Sequence, residues 1–164
     1  MIQIIPASKE DLKLVQSIAH RTWPNTFGDI LSPAQIDYML NLFYDLPHLE
    51  AQFEDGHIFL LAYEDGVELG FTGIQPNLKP GQTKIHKIYI LPTAQGKGIG
   101  KKLIQAIKKI ALENEQKSML LNVNKYNTGA IEFYEYLGFV NIKEEVIDIG
   151  NGYVMDDYVF ELKL

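Results

Sequence analysis

The stretch Thr83–Lys109, TKIHKIYILPTAQGKGIGKKLIQAIKK, decides how the rest of the chain is read. Ile85, His86, Ile88, Tyr89 and Ile90 form a short β-prone run. Pro92 ends it, because proline cannot donate a ladder hydrogen bond. Gly96, Gly98 and Gly100 follow, and then Leu103, Ile104, Ile107 and Ile110 recur at helical spacing. The pattern is strand, glycine turn, helix. Glycines at such a turn let backbone N–H groups converge on one point. The helix start adds unpaired N–H groups and the positive end of its dipole. A turn of this kind is an anion site, and phosphate is the usual anion. A glycine-rich turn that holds no ligand fits the same residues.

Two nucleotide loops fail on spacing. A P-loop needs G-x-x-x-x-G-K-[ST], but Gly100-Lys101 is followed by Lys102, and Gln95 stands five before Gly100. A dinucleotide fingerprint needs G-x-G-x-x-G, and the glycines here run G-x-G-x-G. What remains is Gln95-x-x-Gly98-x-Gly100. It resembles the pyrophosphate loop of the GCN5-related N-acetyltransferases (GNAT), which bind the diphosphate of acetyl-CoA.

Composition narrows the field. The chain has 164 residues, enough for one domain with a core. At 46% hydrophobic and 22% charged residues it reads as globular, not disordered. It has no cysteine, which excludes disulfides and thiolate metal sites. Its four histidines are scattered, so no metal is expected. No run reaches the length of a membrane helix, and the N-terminus carries no basic-then-apolar signal. A cytoplasmic protein is the default expectation. Net charge is −6 with no basic stripe, which argues against nucleic acid.

Outward from the central stretch, Met1–Ile5 reads as a strand. Leu12, Val15, Ile18 and Ala19 make a helical stripe that Pro24 is expected to halt. Ser32-Pro33-x-Gln35 reads as cap, first-turn proline and capping-box glutamine. A short helix over Pro47–Phe53 follows. Ile58–Tyr63 and Glu68–Gln75 flank an Asp65-Gly66 hairpin turn. Asn77–Gln82 reads as a polar loop, and the helix after the glycines runs to about Gln116. Ser118–Val123 is a strand. Asn127 caps a helix that Gly138 closes. Val140–Ile149 and Tyr153–Leu164 are the last two strands. The order predicts a mixed sheet with helices on both faces.

The later helix carries a second motif, Asn127-x-x-Ala130-x-x-Phe133-Tyr134-x-x-x-Gly138-Phe139. It resembles the segment that follows the fifth strand of the same acetyltransferases. The segment order matches along nearly the whole chain. The resemblance implies an α/β (α+β) fold with a mostly antiparallel sheet of about seven strands, in a single domain spanning 1–164. It implies an acetyl-CoA-dependent N-acetyltransferase, in which the fourth and fifth strands splay and the cofactor enters between them. Its binding residues would be Ile88, Tyr89 and Ile90 by their backbone, Gln95, Gly96, Lys97, Gly98, Ile99, Gly100 and Lys101 at the turn, and Asn122, Asn127 and Tyr134. It implies that Tyr134 directs its hydroxyl at the sulfur of CoA. Asn127 as a plain cap and Tyr134 as core are the structural alternatives.

An amine attacking a thioester needs its proton removed, its oxyanion stabilised and its leaving sulfur protonated. Tyr134 suits the last step, since a phenol stays protonated at neutral pH. His86 is the candidate base, placed two before Ile88 and expected on the same strand face. A strand histidine bonded to a neighbour is the alternative. His20, His48 and His57 read as structural or solvent-facing.

For the acceptor, Trp23, Phe27 and Tyr38 lie in the early helices that line the acceptor side in this family. The tail from Asp148 to Tyr158 resembles a bacterial branch acting on polyamines such as spermidine. Asp156 and Asp157 face opposite sides of a strand, and Asp156 is taken as the cleft carboxylate, with a solvated hairpin arm as the alternative. A polyamine is thus the expected acceptor. A protein N-terminus, an amino acid or an antibiotic are other acceptors, and a non-catalytic CoA-binding sensor is the alternative of a different class. Homodimers are common in the family.

Overall fold

Short turns that only glycine and its nearest substitutes tolerate close the antiparallel part of the sheet. The computed structural model describes residues 1–164. Strand β1 is Ile2–Pro6. Helices α1 (Leu12–Phe27), α2 (Pro33–Tyr44) and α3 (Leu46–Glu54) follow. Strands β2 (Ile58–Glu64), β3 (Val67–Lys79) and β4 (Gln82–Ile90) form a meander. Then come α4 (Ile99–Glu113), β5 (Ser118–Asn124), α5 (Thr128–Tyr136), β6 (Val140–Gly150) and β7 (Tyr153–Lys163). The seven strands lie in the order β1-β2-β3-β4-β5-β7-β6. Only β4 and β5 run parallel. The expected mixed, mostly antiparallel architecture is what forms.

The β2–β3 turn is Asp65-Gly66, with φ of 52° and 77°. Two positive φ values make it the mirror-image turn whose twist suits a hairpin. The β3–β4 connection is tighter than the expected polar loop. Lys79 pairs with Gln82, so Pro80 and Gly81 alone make the turn. The polar residues before it are held by Gln116. Its side chain accepts from the Asn77 amide and the Thr83 hydroxyl at 3.0 Å each, and donates to Asn77 Oδ1 at 2.8 Å. This also explains why α4 stops at Glu113 rather than near Gln116: the chain turns there to deliver that glutamine.

Pro24 does not end α1, which runs on to Phe27. Trp23 and Phe27 are both buried, and their packing outweighs one missing backbone hydrogen bond. Pro24 itself is exposed, as is His20, whose carbonyl would otherwise take the proline's bond. Water can serve that carbonyl. At α2, Ser32 Oγ accepts from the Gln35 amide at 3.1 Å, but the capping box is only half made. The Gln35 side chain donates instead to the Val154 carbonyl at 3.0 Å and so ties α2 to β7.

The core lies on both sides of β3 and β4. Phe71 and Tyr89 meet Trp23 and Tyr44 on the α1–α2 side. Leu103 and Ile107 of α4 are fully buried on the other. Each such side chain contributes about 2–3 kcal/mol of burial. No helix is long and apolar enough to cross a membrane.

Candidate functional site

The β4–β5 ladder ends at the Ile85–Leu121 pair, although both strands continue for several residues. Parallel neighbours that stop pairing leave a wedge between them. A cleft of about 670 Å³ opens there. Ile88, Tyr89 and Ile90 line one wall, Leu121, Asn122 and Val123 the other, and the glycine turn and α5 close the ends.

The glycine turn is built for an anion. Gly96 and Gly98 have φ of 85° and 75°, and a Cβ added to either would meet nothing within 4 Å. Their backbone faces open space. The first helical bond of α4 runs from the Lys102 amide to the Gly98 carbonyl at 3.1 Å. No backbone N–H from Gly96 to Lys101 donates to a protein acceptor. Six consecutive donors at a helix N-terminus match the oxygens of a diphosphate. Gln95, Gly96, Gly98, Ile99, Gly100 and Lys101 all line the cleft. Lys97 does not. Its ammonium pairs with Glu64 at 2.7 Å, so its side chain turns away toward β2.

Asn127 caps α5, its Oδ1 accepting from the Ala130 amide at 3.3 Å, and it also borders the cleft. Tyr134 lines the same cleft. Its ring packs against Phe133, Phe139 and Phe160 at 5.3, 5.7 and 6.4 Å between centroids. Burial raises its phenol well above the ordinary tyrosine range, so the hydroxyl keeps its proton.

A second cavity of about 390 Å³ adjoins the first. Phe27, His86, Lys87, Tyr89, Asn122 and Asn124 line both, so these six form the wall between them. Trp23, Met39 and Tyr44 supply its apolar side, and Val154, Met155 and Asp157 of β7 close it.

A bulge in β4 shapes this wall. Gly73 opposes Lys87, but the next residue, Ile74, opposes Ile85. His86 is the extra residue, and the side-chain alternation breaks there. His86 therefore does not share a face with Ile88 as simple alternation predicts. His86 and Lys87 both join the second cavity's lining, whereas Ile90, which alternates with Ile88, packs toward Gly100 of α4. His86 Nε2 lies 2.9 Å from Gln75 Oε1, and its ring stacks on His57 at 5.0 Å. Desolvation, with Lys87, His57 and Lys84 nearby, pushes the imidazole down to about 3. The ring is neutral at neutral pH.

The charged groups of the second cavity were hardly legible in the sequence. Lys87 is 6% exposed, and its ammonium donates to Gln52 Oε1 at 2.8 Å and lies 5.5 Å above the Tyr44 ring. Burial lowers it to about 8. Lys84 donates to Asn122 Oδ1 and is also lowered by burial. The Asn122 amide donates to Glu145 at 3.1 Å and Asp157 at 3.2 Å. Asp157, 5% exposed, is raised by burial.

Several expected acceptor residues lie elsewhere. Trp23 and Phe27 do line the second cavity. Tyr38 does not: its hydroxyl donates to the Ile149 carbonyl at 2.6 Å and its ring meets Tyr153, which anchors the β6–β7 hairpin on α2. Asp156 points to Lys125 at 2.9 Å, and Asp157 is the cleft carboxylate instead. Strand alternation requires one of the two to face inward, but which one depends on β7's pairing with β5 and β6. His48 lines the cavity and is not solvent-facing.

With this geometry in hand, the chain's relations are informative. The model of the acetyltransferase (GNAT) family matches residues 13–139. The chain belongs to that family. Among GNAT relatives, the spermidine N(1)-acetyltransferase of Thermoplasma acidophilum is 27% identical over 160 residues, covering 94% of this chain and 96% of that protein. An uncharacterised N-acetyltransferase of Lactobacillus delbrueckii subsp. lactis is 24% identical over 157 residues, covering 92% and 91%. The crystal structure of PaiA N-acetyltransferase from T. acidophilum, a complex with coenzyme A, superposes with a TM-score of 0.85. It is 24% identical and covers 100% of this chain and 99% of that one. The GNAT fold and its acetyltransferase chemistry thus frame the two cavities.

Proposed function

We propose that the chain moves an acetyl group from acetyl-CoA to a primary amine by direct attack. The observation that carries this is the row of unpaired amides from Gly96 to Lys101, opening on a cleft that the splayed strands leave free. Those amides would hold the diphosphate, and the side of β4 at Ile88–Ile90 that faces away from β3 and has lost its β5 partner would receive the pantetheine amides. The smaller cavity would hold the amine, which meets the thioester at the shared wall.

Three residues or groups of this chain would then act. The amine attacks in its neutral form, and the neutral His86 imidazole takes its proton, directly or through a water, as the C–N bond forms and the nitrogen becomes acidic. A backbone N–H near Ile88 faces the developing oxyanion. The Tyr134 phenol gives its proton to the departing sulfur as the C–S bond breaks and the C–N bond forms. Its burial favours the neutral phenol at rest.

A polyamine acceptor is supported by the T. acidophilum spermidine acetyltransferase, at 27% identity. The aromatic side of the cavity also suits cationic groups. Its lysines weigh against that reading. An edge strand β6 with Val140, Ile142 and Val146 exposed supports a homodimer.

Thiol release from acetyl-CoA over an amine panel tests the transfer. Release that depends on an added amine is the expected result. Acetyl-CoA binding without amine-dependent release would favour a CoA sensor, and no binding at all would refute the reading.

A further inference from the structure

We propose that the acceptor amine also carries an anionic group, a carboxylate or phosphate, and that Lys87 binds it in the smaller cavity. This rests on the acetyl-transfer reading above and names the class of acceptor.

Lys87 is nearly sealed from water, yet no carboxylate lies within ion-pair distance of it. An ammonium has three donors, and here one meets Gln52. A buried cation without an opposite charge is costly, and a protein keeps one where something else supplies the charge. The cavity that Lys87 borders is the natural source.

The rest of the lining agrees. Its formal charges are Lys84 and Lys87 against Asp157 alone. His48 and His86 are both lowered from the ordinary imidazole range by desolvation and by Lys87 beside them, so they add no charge at neutral pH. Asp157 is already engaged by Asn122. The Trp23 indole N–H of the same lining lies beside the Tyr44 hydroxyl and adds another donor. Two ammonium groups against one carboxylate leave the lining with a net positive charge, which suits an anion. A second ammonium of a polyamine would meet Lys87 and be repelled. An amino acid or an aminoalkyl phosphate presents the complementary pair of groups, the amine toward the shared wall and the anion toward Lys87.

The test uses the full chain and acetyl-CoA, with glycine, β-alanine, glutamate and phosphoethanolamine set against glycinamide, putrescine and spermidine. Carboxylated or phosphorylated amines should be turned over with kcat/KM at least about tenfold above their neutral and polycationic counterparts. Carboxylates and phosphoethanolamine separate the two anion sources. In Lys87→Met, KM for the anionic amines should rise about tenfold or more relative to KM for glycinamide, which has no anionic group to lose. Removing a buried charge does not threaten folding, and a thermal melt checks that. Turnover of spermidine or putrescine with none of the anionic amines would overturn the proposal. So would acetyl-CoA binding with no anionic amine acetylated, or a Lys87→Met enzyme that keeps its KM. Failure of acetyl-CoA to bind would instead remove the acetyl-transfer reading, and this one with it.

Discussion

The Lys87 ammonium reaches from β4 to α3 and donates to Gln52 Oε1 at 2.8 Å, across the wall shared by two cavities. At 6% exposed it is among the most buried charges of the chain. That has a measurable thermodynamic signature.

Burial lowers Lys87 from the ordinary lysine value of 10.5 to about 8. The unfolded chain therefore binds more protons than the folded one between those values, and stability contributed at this site rises with pH across that window. The cost is fully present below about pH 8 and fades by about pH 10.5. Its size is on the order of 3 kcal/mol. Lys87→Met should remove most of it, less about 1 kcal/mol for the lost hydrogen bond. The variant should exceed the parent in denaturant-unfolding free energy at pH 7, and the difference should shrink by pH 10. A difference independent of pH would contradict a depressed lysine.

Gly98 caps α4 in the left-handed region, φ 75°, with open space where a Cβ would stand. Gly98→Ala therefore strains the backbone without a clash. The expected cost is about 1–2 kcal/mol of stability. Tilting the amides of the turn should also weaken acetyl-CoA binding by about tenfold, read by calorimetry. Unaltered affinity would mean the turn does not grip the diphosphate.

Tyr134→Phe deletes one hydroxyl from a ring that is otherwise packed among Phe133, Phe139 and Phe160. Stability should barely change. If the phenol protonates the leaving sulfur, kcat should fall by about 10²-fold while both KM values stay put. Steady-state thiol release measures this. A kcat near that of the parent would assign Tyr134 to packing.

Desolvation, then Lys87, His57 and Lys84, disfavour the charged form of His86 and hold it below the ordinary imidazole range. A base of that kind stays free from pH 8 down through pH 6. The kcat profile should lack the fall near pH 6.5 that an unperturbed histidine gives. His86→Ala should lower kcat by about 10²-fold. A steep acid limb at pH 6–7 that vanishes in His86→Ala would keep the base but refute its depressed proton affinity.

Much of this was legible in the chain itself. Asp65-Gly66, Gly98 and Gly138 each sit at a positive φ that the sequence had marked. Asn127 and Ser32 cap the helices they precede. Local chemistry governs such positions, and local chemistry is written in neighbouring residues. The early helix was harder. Pro24 is a breaker by its own chemistry, yet α1 passes through it because Trp23 and Phe27 are anchored by Tyr44 and Tyr89, far away in sequence. The acceptor side was least legible. Tyr38 and Asp156 looked like site residues and are instead a hairpin anchor and an ion-pair partner.

The sequence alone determined the order of strands and helices, the glycine turn with its anion-ready amides, and the Asn127 cap of the last helix. All of these follow from spacing over a few residues. Only the tertiary structure decided what lines the second cavity. One added residue at the β4 bulge brings Lys87 to the same cavity as His86, and the pairing of β7 selects Asp157 over Asp156. Strand side chains alternate with period two, so a register step of one residue inverts inside and outside, and no local pattern records where such a step falls.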